Sequence, residues 1–287
     1  MASMRDIKRR KSSIQSTQQI TKAMKLVSTV KLQKAKLHAE ATDPYFNHMY
    51  QTVTSILARS GNINHPYLTR GASDKIAVVV ITSNRGLAGG YNANVTKLVT
   101  NNQDILPKDR VEVFCIGSKG RETLERYGYH IKEDHSAIME SPTYEAAAAV
   151  CARVLDAFTR GEIGQIYLAY THFKNTVVHV PKLMKLLPVE FSEEEISVAD
   201  DKLIMNYEPN VEDALDLIIP KYVTSIFYGA LVEALASENG ARMQAMDSAT
   251  SNAEDMISDL SLKYNRARQG SITQELTEII AGAEALT

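Results

Sequence analysis

At 287 residues the chain has room for one or two ordinary domains, and its 44% hydrophobic content is that of a soluble fold. No run of about eighteen apolar residues calls for a membrane span, and Met1 to Lys11 is charged, without the apolar centre of a signal peptide or the length of a transit peptide. Lys plus Arg number 32 against 34 Asp plus Glu; the only cysteines, Cys115 and Cys151, form no CxxC and no Cys/His spacing that fits a zinc site, and their apolar surroundings suit two buried thiols.

The first sixty residues lack glycine and hold one proline, Pro44, so a single long helix is predicted from about Ala2 to Ser60, bent near Asp43-Pro44. Ile14, Ile20, Met24, Val27, Val30 and Leu37 are its expected apolar face. Ser12, Ser13, Ser16, Thr17, Gln18, Gln19 and Thr21 dilute that face, which is poor material for a free-standing coiled coil. Gly61 to Asp74 has loop composition. Ile76 to Thr82 is a β-branched run expected as a buried strand, followed by a glycine-rich turn and a helix from about Tyr91 to Asn102. Val111 to Ile116 is a second strand, leading through Gly117-Ser-Lys-Gly120 into a helix that ends near Gly128. Thr143 to Thr159 is an Ala-rich helix, Gln165 to Tyr170 a third strand, and Val177 to Val189 a further strand kinked at Pro181. Strands alternating with helices predict a parallel βαβ sheet.

Ser192 to Asn206 is acidic and loop-like. Helical periodicity resumes near Val211, with Pro220 kinking the helix or marking its start. Val232, Leu235, Asn239, Arg242, Met246, Ala249, Ala253, Met256 and Leu260 then step by three and four, a heptad seam rich in small residues. From Lys221 to the end such a helix spans roughly 100 Å at ~1.5 Å per residue, more than a compact domain accommodates. Charge follows the same division. Met1 to Ala41 is basic and the segment after Lys221 acidic, so an antiparallel hairpin of the two ends is expected.

Catalytic signatures are missing from this chain. Arg85-Gly-Leu-Ala-Gly-Gly90 lies where phosphate loops lie, yet it is neither GxGxxG nor a P-loop, so a tight strand-to-helix turn is expected. Gly117-Ser-Lys-Gly120 is not GxSxG, which leaves Ser118 a poor nucleophile. The carboxylates Glu193 to Glu195 and Asp200-Asp201 sit in solvated runs that favour no acid/base role. No catalytic residue, metal ligand or cofactor is expected, and the chain reads as a mechanical subunit rather than an enzyme. Two rivals remain: a nucleotide-binding α/β enzyme using the glycine-rich turn, and a nucleic-acid binder using the basic arm. The second lacks interleaved aromatics, Tyr45 being the first in the chain.

Four segments carry a family resemblance: Ile20-Thr-Lys-Ala-Met-Lys-Leu-Val-Ser28, Thr82-Ser-Asn-Arg-Gly-Leu-Ala-Gly-Gly-Tyr-Asn92, Arg242-Met-Gln-Ala-Met-Asp-Ser-Ala-Thr250 and Ile272 to Ala285. Together they resemble the γ subunit of the F-type ATP synthase along the whole chain. The resemblance implies an antiparallel coiled coil of the N- and C-terminal helices plus a central Rossmann-like α/β foot, divided as 1–60, 61–208 and 209–287. It implies a rotor turning within a head of α and β subunits, with ε and the membrane c-ring at the foot, coupling proton flow to ATP synthesis. It further implies a location at the cytoplasmic face of a bacterial plasma membrane, without insertion into the bilayer and without nucleic acid.

By the same resemblance Arg268, Gln269, Thr273, Met24, Lys25 and Arg85 are expected to meet the β subunit, and Tyr207 and Glu208 the c-ring. Asn84 stands where the family often has Asp, and Lys25 where it is often acidic. The paired-cysteine insertion of the chloroplast form is missing, so thiol control is not expected.

Overall fold

A computed structural model describes residues 4–60, 65–190 and 210–284. The glycine-free N-terminal segment forms one helix, α1 (Met4–Ser60), with Pro44 inside it. After a short 3-10 turn at Pro66–Leu68, the chain builds β1 (Ile76–Ile81), α2 (Tyr91–Asn101), β2 (Val111–Ile116), α3 (Ser118–Arg126) and β3 (His130–Asp134). A second 3-10 turn at Ser136–Glu140 leads to α4 (Tyr144–Thr159), β4 (Gln165–Phe173), β5 (His179–Leu187) and finally α5 (Val211–Glu284). Pro220 lies inside α5 rather than starting it.

The sheet order is β3-β2-β1-β4-β5. Pairs β1·β2, β1·β4 and β2·β3 are parallel, and β5 adds antiparallel to β4. Two details depart from the sequence reading. β3 is an extra strand: its exposed and half-buried residues, His-Ile-Lys-Glu-Asp, carry little β-branched signal. β5 makes the sheet mixed, because the connection after Phe173 is a hairpin rather than a helical crossover.

Chain contacts divide the molecule into two compact units, Met1–Ser28 with Met243–Thr287, and Thr29–Arg242. In the second unit strand alternation sends side chains into two cores. Ala77, Val79, Ile81, Phe114, Leu168 and Tyr170 meet α4, the end of α1 at Val53 and Ile56, and the first turns of α5. Val78, Val80, Val113 and Cys115 meet Val95 and Val99 of α2 and Leu124 of α3. Both faces are covered, which is why β1 and β2 are buried at every position. Among the described residues α5 alone is long and apolar enough to cross a membrane, with a mean hydropathy of 1.4 over eighteen residues, yet 56% of that stretch is buried in the protein. Leu215, Ile219, Val223, Phe227 and Leu231 are apolar because they pack on the sheet.

In the first unit α1 and α5 run antiparallel. Gln18 donates to Glu254 at 3.0 Å, Thr21 meets Thr250 at 2.8 Å, and Lys25 meets Asp247 at 2.6 Å. Each step forward on α1 is a step backward on α5. Buried or half-buried positions recur at Ile14, Gln18, Thr21, Lys25 and Ser28 on α1, and at Met246, Thr250, Ala253, Ile257, Leu260, Tyr264 and Ala267 on α5. That is a strict three-four alternation. The expected apolar face of α1 is corrected here: Ile20, Val27, Val30 and Leu37 are exposed. The seam takes Thr21 and Ser28 instead, because these lie on the face turned to Thr250 and Asp247 of α5, and Ile20 sits about 100° around the helix from Thr21. On α5 the expected Met256 is likewise exposed, and Ile257 takes its place.

Candidate functional site

In an open α/β sheet the ligand crevice lies beyond the carboxyl ends of the strands, where strand order reverses. Here that point falls between β1 and β4. It is flanked by the turn Thr82–Gly90 and by Thr171–Phe173. The crevice is filled by α5 of the same chain. Ser237 Oγ donates to the Thr171 carbonyl at 3.2 Å, and the buried Tyr91 hydroxyl donates to the Ala234 carbonyl at 3.1 Å. His172 Nδ1 and Glu233 Oε2 are 2.7 Å apart. Arg242 Nη2 donates to the carbonyls of Arg85 and Gly86, each at 3.3 Å.

The turn itself is consumed by internal bonds. The Ser83 N–H donates to Asn92 Oδ1 at 2.9 Å, and Ser83 Oγ donates to the Arg85 carbonyl at 2.6 Å. Asn84 ties the ends of three strands: its amide donates to the Ser136 carbonyl at 2.8 Å and accepts from the Ser118 N–H at 3.0 Å. An aspartate could accept from Ser118 but could not donate to Ser136. The second glycine pair serves packing. Gly117 has φ 105°, and a Cβ there would lie 2.1 Å from the Thr82 carbonyl oxygen; one on Gly120 would lie 2.6 Å from Thr82 Oγ1. Thr82 Oγ1 in turn accepts from the Gly120 N–H at 2.8 Å. The second turn is therefore a packing device, whereas a Cβ on Gly86 or Gly89 of the first would meet nothing within 4 Å, and that turn is held by its hydrogen bonds.

Charged groups near these strand ends are matched by partners in the same chain. For Asp134, burial works to raise the carboxyl pKa, but hydrogen bonds from Ser136 and the charge of Arg121 at 2.5 Å hold it below the usual range. For Glu133, burial again opposes, and hydrogen bonds from Arg153 and His135 lower it. A carboxylate kept ionised is a poor general acid at neutral pH. Burial pushes the Cys115 thiol up to about 12 and the Cys151 thiol up to about 11, which leaves both unreactive. Among the described residues no group of three His, Cys, Asp or Glu is placed to hold a metal ion.

The sequence-predicted contact residues fall at separate places. Arg268, Gln269 and Thr273 are exposed on α5, near and beyond the level at which α1 begins in the antiparallel register. From Ile272 to Ala283 every residue of α5 is exposed, including Ile272, Leu276, Ile279 and Ile280. Met24 is half-buried beside the seam, and Lys25 is ion-paired with Asp247. Arg85 is exposed at the tip of its turn. Tyr207, Glu208 and the acidic run Glu193 to Asp201 lie outside the described residues. Sequence reasoning missed the bracing roles of Asn84, Ser118 and Glu238. It also missed Thr21 and Ser28 as seam residues, although their seven-residue spacing is legible once polar residues are allowed into a heptad.

The profile of the family described as ATP synthase matches residues 3–286. The chain is 65% identical to the ATP synthase gamma chain of Lachnoclostridium phytofermentans, with all of each chain covered. It is 42% identical to the sodium ion specific ATP synthase gamma chain of Acetobacterium woodii, over 99% of this chain and 98% of that one. Among solved structures it resembles the central stalk/c-ring structure of Tetrahymena thermophila mitochondrial ATP synthase, with TM-score 0.59, 25% identity and coverage of 80% of this chain and 99% of the other. A rotor chain of Euglena gracilis mitochondrial ATP synthase shares the fold, with TM-score 0.67, 16% identity and coverage of 94% and 98%.

Proposed function

The chain belongs to the ATP synthase gamma chain family, and from that premise we propose that it is the central rotor shaft of an F-type, proton-translocating ATP synthase. It takes up rotation from the membrane c-ring, with ε beside the foot, and forces the catalytic subunits of the αβ head through their nucleotide states. It does no chemistry itself. The observation that carries this reading is the crevice at the β1/β4 switch point, where a sheet of this class would hold a nucleotide. There Tyr91 donates to Ala234 of α5, and Ser237 and Arg242 of α5 donate to the carbonyls of Thr171 and Arg85. The nucleotides then belong to the partners, and the chain works as a membrane-peripheral part, at the cytoplasmic face of the bacterial plasma membrane.

Arg268, Gln269 and Thr273 are the proposed C-terminal contacts to β, with Met24, Lys25 and Arg85 as further ones and Tyr207 with Glu208 at the c-ring. Lys25 reaches β only in competition with Asp247, a solvent-exposed pair worth about 0–1 kcal/mol. Exchange between these partners gives differential contacts in different rotational states, which any directional effect requires. Replacing Arg268 and Gln269 together by alanine tests the contact role in the purified complex. ATP-driven ion pumping per ATP hydrolysed falls while subunit stoichiometry is kept; an unchanged ratio overturns the assignment. Calorimetric saturation of the isolated chain by ATP would overturn the non-catalytic reading.

A second reading of the coupling ion rests on the relative named as sodium ion specific. Ion selection is made where the ion binds, in the membrane sector, so a shaft of this sequence serves either ion. Sodium-stimulated ATP hydrolysis by the detergent-solubilised complex distinguishes them.

A further inference from the structure

Leu87 is the one non-glycine residue with positive φ among the described residues, at 62°. Bulky side chains disfavour that region, and such a geometry persists only where the surroundings enforce it. The Leu87 side chain is also 64% exposed, so its own burial does not enforce it. The restraint comes from the preceding carbonyls. Ser83 Oγ donates to the Arg85 oxygen at 2.6 Å, and Arg242 Nη2 donates to the oxygens of Arg85 and Gly86 at 3.3 Å each. Arg242 is fixed in turn by Nη1 donating to Glu238 Oε1 at 2.7 Å, with both side chains only 11% exposed. The loop is thus held from behind, and it turns a cation and an apolar side chain, Arg85 and Leu87, toward solvent.

We infer that Arg242 is a positioning residue: its guanidinium locks the Arg85–Leu87 loop of the α/β unit onto α5, so that Arg85 and Leu87 form a preformed knob for an acidic protein surface with an apolar recess. A contact that carries force must not yield, since a soft loop absorbs displacement that should reach the partner. Arginine suits the task because its planar fork serves Glu238 and two carbonyls together, which a lysine ammonium cannot reproduce. The identity of the partner rests on the proposal that Arg85 meets β; the clamp itself does not.

The test separates the two. The full chain and its Arg242→Lys and Arg242→Gln variants are digested briefly with trypsin, and cleavage after Arg85 is scored against cleavage after Arg126, at the exposed end of α3. Arg242→Lys keeps a charge beside Glu238 and so guards against simple misfolding. Losing the two carbonyl bonds raises the 85-to-126 cleavage ratio roughly fivefold to tenfold. An unchanged ratio in both variants overturns the clamp. In the assembled complex Arg242→Lys lowers pumping per ATP hydrolysed, and lowers it no further when Arg85→Ala is already present. Additive losses in that cycle overturn action through the loop. A raised cleavage ratio with full coupling in both Arg85→Ala and Arg242→Lys leaves the clamp standing and overturns the contact to β.

Discussion

The buried threonine pair of the helical seam gives a sharp test of how this chain tolerates a polar interface. Thr21 is 8% and Thr250 9% exposed, with their hydroxyls 2.8 Å apart. Thr250 Oγ1 also donates to the Met246 carbonyl at 2.7 Å, and Thr21 Oγ1 lies 3.0 Å from the Gln18 carbonyl. Two hydroxyl protons therefore serve three contacts, and either residue keeps an acceptor on its own helix if its partner is removed. Thr21→Val or Thr250→Val alone loses one interhelical bond without orphaning the other hydroxyl. The lost bond costs about 0.5–1.5 kcal/mol, offset by roughly 0.8 kcal/mol for the added methyl, rather than the ~3 kcal/mol at the upper end for an unsatisfied buried group. The double variant loses that same bond only once and replaces two hydroxyls by methyls, each worth roughly 0.8 kcal/mol of apolar burial. It should therefore lie within about 1 kcal/mol of the parent, with a coupling energy near 1 kcal/mol. Urea unfolding of the full chain, followed by helical circular dichroism, measures all four corners of the cycle. A single variant losing more than about 3 kcal/mol, or strictly additive singles, would refute the proton accounting.

Glycines separate packing from freedom. Gly117→Ala puts a Cβ 2.1 Å from the Thr82 oxygen at φ 105° and should cost more than about 4 kcal/mol, visible as loss of folded, soluble chain. Gly86→Ala meets nothing within 4 Å and should shift stability by under about 1 kcal/mol in the same assay. Acid stability should depend on Glu112: burial works to raise its pKa, but hydrogen bonds and charge from Lys75 at 2.7 Å and Lys132 at 3.3 Å prevail and lower it. A folded pKa below the unfolded one contributes stability above the unfolded value and loses it as pH falls through the folded value. Glu112→Gln should accordingly flatten the decline of stability below about pH 4.5, and an unchanged acid limb would contradict the triad. With Cys151 pushed up to about 11 and Cys115 to about 12, iodoacetamide at pH 8 should leave the native chain unmodified and alkylate both thiols in urea.

Much of this protein was legible in one dimension. Sparse helix breakers announced α1, helical periodicity announced α5, and the β-branched runs at Ile76 and Val111 announced the central strands, because these signals depend on neighbouring residues alone. The two glycine segments were legible as strand-to-helix turns for the same reason, but only the structure shows that Gly117 and Gly120 pack against Thr82. The missed features depend on what is across the gap. β3 is a strand because β2 offers it an edge, and β5 runs antiparallel because its hairpin folds back on β4. The seam of α1 could not be picked by hydrophobicity: Ile20, Val27, Val30 and Leu37 outrank Thr21 and Ser28 as apolar residues, yet the position of α5 in the antiparallel pair turns Thr21 and Ser28 inward. Arg242 is one more heptad position in the sequence. Only the tertiary structure brings its guanidinium to carbonyls some 156 residues away, at 3.3 Å, where α5 closes the crevice that a related sheet would keep open for a ligand.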